Sequence, residues 1–189
     1  LLNMAFTLPL AAQDYPAKPI QMIIPFPPGG GVDSLGRAFA QALDARMNQR
    51  VLANNRGGAG QMIGTQALVQ AAPDGYTVMY SPVTPLTIQP HRVKNLPYAR
   101  EAVLPLCQTF ESVFFVAAGP RSAFGTMQQL FDAARANPGK LRYSTAGVGS
   151  SPHLSGAELW LKAGVQLTDV PYASEAVGLP QLPSGDVDI

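Results

Sequence analysis

Gly147, Gly149, Ser150, Ser151 and His153 lie within one short run, and hydroxyl, imidazole and glycine so spaced serve two chemistries. A serine becomes a nucleophile when a histidine faces it as base and a third group orients that histidine. Glycines and serines at the start of a helix do something else: free backbone amides and hydroxyls there receive an anion, helped by the helix dipole. Adjacency in sequence at a helix start does not set a base against a nucleophile, so binding by the Ser150 and Ser151 hydroxyls outweighs catalysis, with His153 as a first-turn donor or packing residue. Two further loops have the same character: Pro25 to Asp33, with three successive glycines, and Ser81-Pro82-Val83-Thr84. In this first loop Asp33 can cap its helix or meet a ligand amine, capping being the better supported. Phe26, beside two prolines, walls a pocket or fills the core.

Other chemistries lack their residues. Pro152 occupies the third glycine position of a G-x-G-x-x-G run from Gly147, and neither a P-loop ending nor a G-x-S-x-G elbow occurs. One cysteine and two histidines, Cys107, His91 and His153, assemble no Cys/His zinc site, so neither metal nor cofactor is expected. Cys107 itself, in an apolar run, reads as a buried small hydrophobe. Thirteen basic against twelve acidic residues leave a formal charge of +1, which steers the chain neither to nucleic acid nor to anionic lipid.

Strands that end where helices begin must hold these loops. Ile20 to Ile24, bounded by Pro19 and Pro25, reads as a buried strand. Leu35, Ala38, Phe39, Ala42, Leu43 and Met47 then recur at helical spacing from Ser34, with Asp33 or Ser34 as cap. Val51 to Ala53 gives a second strand, Arg56 to Gly60 a loop, Met62 to Ala72 a second helix and Thr77 to Tyr80 a third strand. Pro82 to Pro105, with five prolines, reads as an inter-lobe connection. Beyond it, Ser112 to Ala117 reads as a strand, Thr126 to Gln129 as a capping box, Leu141 to Ser144 as a strand, and a helix begins with Pro152 at its first position and stops at Gly164, just past its end. Strands alternating with helices imply α/β architecture with parallel, doubly wound sheets, and ligands bind such sheets outside the carboxyl ends of the strands.

The apolar share is 47% and the charged share only 13%, about half the usual value, which excludes a disordered chain. Eighteen glycines and eighteen prolines therefore belong to ordered turns. Leu1 to Ala12 reads as the remainder of a secretory signal, too short to span a bilayer. Val187-Asp188-Ile189 reads as the opening of a strand. Both ends are accordingly expected to be truncations.

Seven motifs fall in a telling order: Tyr15-Pro16-Ala17-Lys18-Pro19-Ile20, Pro25-Phe26-Pro27-Pro28-Gly29-Gly30, Asn55-Arg56-Gly57-Gly58-Ala59-Gly60, Pro73-Asp74-Gly75-Tyr76-Thr77, Leu96-Pro97-Tyr98, Asn137-Pro138-Gly139-Lys140-Leu141 and Val170-Pro171-Tyr172. In this the chain closely resembles the Bug-type solute-binding receptors of tripartite tricarboxylate transporters, from Tyr15 to Ile189. The resemblance implies a periplasmic, two-lobed Venus-flytrap protein without catalysis, its C-terminal part missing. Its parts would be a residual signal peptide at 1–12, a first lobe at 13–104 and an incomplete second lobe at 105–189. It would capture a small carboxylate, whether dicarboxylate, acidic amino acid or aromatic acid, and deliver it to membrane permease subunits. Carried over by motif, the ligand-binding residues would be Phe26, Gly30, Gly31, Val32, Asp33, Ser81, Val83, Thr84, Gly147, Gly149, Ser150, Ser151 and His153. A serine-dependent α/β enzyme and a degenerate fragment that binds nothing are the alternatives. The chain departs from the family pattern at Asn54, Gly57 and Ala173-Ser174. Pro180 and Pro183 fall where the family runs a helix, and an interior proline costs about 3 kcal/mol or more there.

Overall fold

The computed structural model describes residues 15–189, so the signal-like segment 1–12 lies outside the described residues. Strand β1 (Ile20–Ile24) is buried at four of its five positions because it pairs in parallel with both β2 (Val51–Asn55) and β3 (Thr77–Met79), giving the order β2-β1-β3. Helix α1 (Gly31–Met47) makes the crossover from β1 to β2, and α2 (Met62–Val69) that from β2 to β3. A Cβ on Gly36 would lie 2.9 Å from Ile24 Cδ1 and 3.1 Å from Tyr80 Cδ1, so the missing side chain is what lets α1 press against the sheet. Met22, Ile24, Phe26, Val51 and Tyr80 form this first core. Phe110, well along the chain, stacks on Tyr80 at 5.6 Å and joins the same core.

Between the sheets the chain makes α3 (Thr84–Thr87), α4 (Gln89–Arg92) and a 3-10 turn, Arg100–Ala102. Strands β4 (Arg142–Thr145) and β5 (Thr168–Pro171) form a second parallel sheet, with α5 (Met127–Ala136) before β4 and α6 (Ser151–Ala163) between them. The capping box at Thr126 is present: its Oγ1 accepts from Gln129 N at 3.2 Å, while Gln129 Oε1 accepts from Gly125 N at 2.8 Å. Trp160 packs inside the second core, edge-on to Tyr143 at 5.6 Å. Val187 to Ile189 runs along β4, where Ser144 N donates to Ile189 O and Asp188 N to Arg142 O.

Several expectations are corrected. Helix α1 begins at Gly31, three residues before the predicted start. Asp33 is thus inside the first turn, and the N-cap is Gly30, without a side-chain bond. Ser112 to Ala117 is not a strand; only Gly119 N, just beyond it, reaches Asp188 O, and Val113 and Phe115 are exposed. Strand propensity needs a partner on at least one edge, and none lies beside these residues among those described. Cys107 is also exposed, in a stretch assigned to no helix or strand. The prolines divide the end of the chain into two four-residue helices, α7 (Glu175–Gly178) and α8 (Gln181–Ser184), with Pro180 between them.

Candidate functional site

A cleft of about 450 Å³ opens between the carboxyl ends of the two sheets. Its first wall is the loop after β1, Pro25 to Pro28, and the loop after β2, Asn55 and Gly57 to Gln61. Its second wall is the loop after β4, Ala146 to Val148 with Ser150, and the residues after β5, Tyr172 and Ala173. Among the described residues no Asp, Glu, Lys or Arg lines it. Proline, glycine and alanine dominate, so much of the polar surface offered to a guest is main chain.

The first wall is locked from behind. Asp33 is 4% exposed, and its carboxylate accepts from Gly29 N at 2.9 Å, Asn55 Nδ2 at 2.8 Å and Arg37 Nε at 2.9 Å. Burial pushes its pKa up, but these donors together with the Arg37 charge outweigh burial and hold the carboxyl below its usual range. Asn55 Nδ2 also donates to Phe26 O at 3.0 Å, tying the β1 and β2 loops together. A Cβ on Gly57 would lie 3.0 Å from the Phe26 carbonyl carbon and from Pro27 N, so the two loops touch backbone to backbone. Four consecutive residues of the second loop, Gly58, Ala59, Gly60 and Gln61, have positive φ. Ala59 and Gln61 hold this conformation at a cost, since their Cβ atoms crowd the carbonyls.

The second wall hangs on α6. Ser150 is the N-cap, its Oγ accepting from His153 N at 3.4 Å. His153 Nδ1 accepts from Gly149 N at 3.3 Å, and Nε2 lies 3.6 Å from Asp169 Oδ2. The first bond requires an unprotonated Nδ1, which puts the proton of the neutral ring on Nε2, toward Asp169. Thr145 Oγ1 donates to the other oxygen of Asp169 at 2.9 Å, linking the loop to its own sheet.

Of the residues predicted to bind, Phe26, Gly147 and Ser150 line the cleft, and Phe26 also belongs to the first core. Gly30, Gly31 and Val32 open α1 immediately past Pro28. Asp33 faces away behind them, fully engaged by protein donors. The β3 loop does not line this cleft: Ser81 Oγ donates to Pro82 O at 2.9 Å, and Val83 is 65% exposed. Thr84, fully buried, instead pairs its Oγ1 with Ser151 Oγ at 3.0 Å, joining the two halves of the chain directly. Gly149 is covered by Arg92, whose Nε would be 2.5 Å from a Cβ there. His153 supports the loop from behind. Neither serine hydroxyl meets an imidazole nitrogen, so no nucleophile is activated here.

The sequence reading passed over Asn55, the Gly57 to Gln61 loop, Tyr172 and Ala173 as site residues. The signal was present, since Arg56 to Gly60 follows a strand and precedes a helix just as Pro25 to Asp33 does. Among the described residues no group of three His, Cys, Asp or Glu is placed to hold a metal, and no helix is long and apolar enough to cross a membrane.

Residues 35–189 match the family model described as tripartite tricarboxylate transporter family receptor. The BugT protein of Bordetella pertussis is 33% identical over 181 residues, 95% of this chain and 56% of BugT. The solved periplasmic binding protein BugD is 28% identical with a TM-score of 0.75, over 92% of this chain and 58% of BugD. Rpa4515 of R. palustris, solved with adipate, is 26% identical with a TM-score of 0.79, over 93% of this chain and 59% of that one. The chain spans about half the length of the curated relatives it matches. The two-lobed α/β fold of periplasmic binding proteins, expected from the sequence, is the fold these likenesses show.

Proposed function

The chain belongs to the tripartite tricarboxylate transporter family of receptors, of the Bug type, and from that premise we propose that it captures a small organic carboxylate outside the cytoplasm and delivers it to the permease subunits of such a transporter. The observation that carries this reading is the cleft's composition: a space of about 450 Å³ between two sheets, with no charged side chain among the described residues that line it. A carboxylate there is held by main-chain amides and hydroxyls, which satisfy its oxygens without a buried counter-ion. The adipate of Rpa4515 shows a relative with a ligand of this class and size. The lobes are taken as 13–104 and 105–189, with Phe110 reaching back across that boundary to the first core. The segment 1–12 fits export to the periplasm, where BugD is placed.

Isothermal titration of the purified protein with succinate, adipate, L-glutamate and benzoate tests the proposal. Saturable binding of at least one is expected. Silence across all four overturns the receptor reading.

A further inference from the structure

Resting on that reading, we propose that Gln89 is a positioning residue of the cleft. Its buried amide sets the Gly58 to Gln61 loop of the first wall and, through Arg92, the Gly147 to Ser150 loop of the second, so ligand affinity depends on a side chain that does not touch the ligand. Gln89 opens α4 in the segment between the two sheets, is 0% exposed, and is not among the described residues that line the cleft. Both ends of its amide are used: Nε2 donates to Gly60 O at 2.7 Å, and Oε1 accepts from Arg92 Nε at 3.0 Å. A guanidinium only donates and a carbonyl only accepts, so a side chain placed between them needs an acceptor and a donor at once, which glutamine has.

The first loop needs such a hold. Gly58, Ala59, Gly60 and Gln61 all have positive φ, and a strained run of this kind persists only where its surroundings over-determine it. At Gln61 the hold comes from Thr65 Oγ1, which donates to Gln61 O at 3.0 Å. At Gly60 it comes from Gln89, packed so closely that a Cβ on Gly60 would collide with Nε2. This bond engages the Gly60 carbonyl with a residue outside the cleft lining, so its oxygen is not offered to a carboxylate that it would repel. The second loop is reached from the other end of the amide. With Nε fixed on Gln89, the Arg92 guanidinium lies against Gly149: a Cβ there would stand 2.5 Å from Nε and 2.8 Å from Cζ. Nη2 would be 3.5 Å from a Cβ on Gly60, so the guanidinium stands over both loops. Val148 and Ser150, on either side of Gly149, line the cleft. Gln89 thereby sets the spacing of two loops that belong to different sheets, and a guest held by main chain from both sides binds best when that spacing is fixed in advance.

The test titrates succinate, adipate, L-glutamate and benzoate into wild type, Gln89→Met, Arg92→Met, the double variant and Thr126→Ala, each well below its own melting temperature. Gln89→Met is expected to weaken whichever acid binds wild type by about 10-fold, and Arg92→Met by about 3-fold. The double variant is expected to lose no more than Gln89→Met alone, because Arg92 acts through Gln89. Thr126→Ala, which removes the α5 cap and touches neither wall, is expected to melt lower with unchanged affinity. Arg92 is exposed, so its variant folds and reads the relay even where Gln89→Met does not. Wild-type affinity in Gln89→Met or in Arg92→Met, or losses that simply add in the double variant, overturns this inference and leaves the receptor reading standing. A Thr126→Ala affinity that falls with its melting temperature overturns it too, since affinity would then follow overall stability rather than Gln89. Wild type that binds none of the four acids overturns the receptor reading itself.

Discussion

The two walls of the cleft do the same job with different chemistry. Behind the first stands a buried carboxylate, Asp33, with three donors within 2.9 Å and a guanidinium among them. Behind the second stands a histidine with longer contacts, 3.3 Å to Gly149 N and 3.6 Å to Asp169. The first arrangement stays ionised at any physiological pH and fixes its loop through charge-assisted hydrogen bonds. The second depends on an unprotonated ring nitrogen. The first wall is therefore the rigid reference, and the second is the more loosely held.

The sharpest way to break this contrast is Asp33→Asn. An amide has one acceptor oxygen where the carboxylate has two and carries no charge for Arg37, so a loss of about 2 kcal/mol or more is expected in urea denaturation. The sign with pH follows from the lowered pKa. The stabilisation is complete above the unfolded carboxyl value of about 3.9 and is lost as pH falls through the lower folded value. Wild type should thus lose more stability than Asp33→Asn on acidification below about pH 4. A parallel decline of the two would show that Asp33 is not the anchor.

Gly57→Ala comes next. Its Cβ would meet the Phe26 and Pro27 backbones at 3.0 Å, and overpacking of backbone against backbone is expected to cost about 2 kcal/mol by the same assay. A variant as stable as wild type would mean that the first wall yields, and the distinction between the walls would fail. The smallest effect is expected from Ser150→Ala, which removes the α6 cap. Its bond is long, 3.4 Å, so a loss of about 1 kcal/mol is expected. A loss matching that of Asp33→Asn would make the walls equally rigid.

Much of this architecture was legible in the residues. The run Ile20 to Ile24 between two prolines, the helical stripe that follows, the Thr126 box and the Gly164 stop depend on contacts a few residues apart, and each lies within a few residues of the reading. Even the interrupted last helix was foreshadowed by Pro180 and Pro183. Ser112 to Ala117 has the composition of a strand and is not one, because pairing is decided by distant backbone. Cys107 has apolar neighbours in sequence and is nonetheless exposed.

The sequence by itself determined the α/β alternation, the glycine and proline loops at the strand ends, and the absence of nucleotide and nucleophile-elbow motifs, because these follow from local propensity and residue chemistry. Only the tertiary structure decided which loops share a cleft. Strand order β2-β1-β3 and the Thr84–Ser151 pair set the β2 loop against the β4 loop and leave the β3 loop outside. It also made Asp33, read as a cap or a ligand contact, the anchor of the first wall. Burial and partnership belong to pairs of residues far apart in the chain, and no local pattern encodes them.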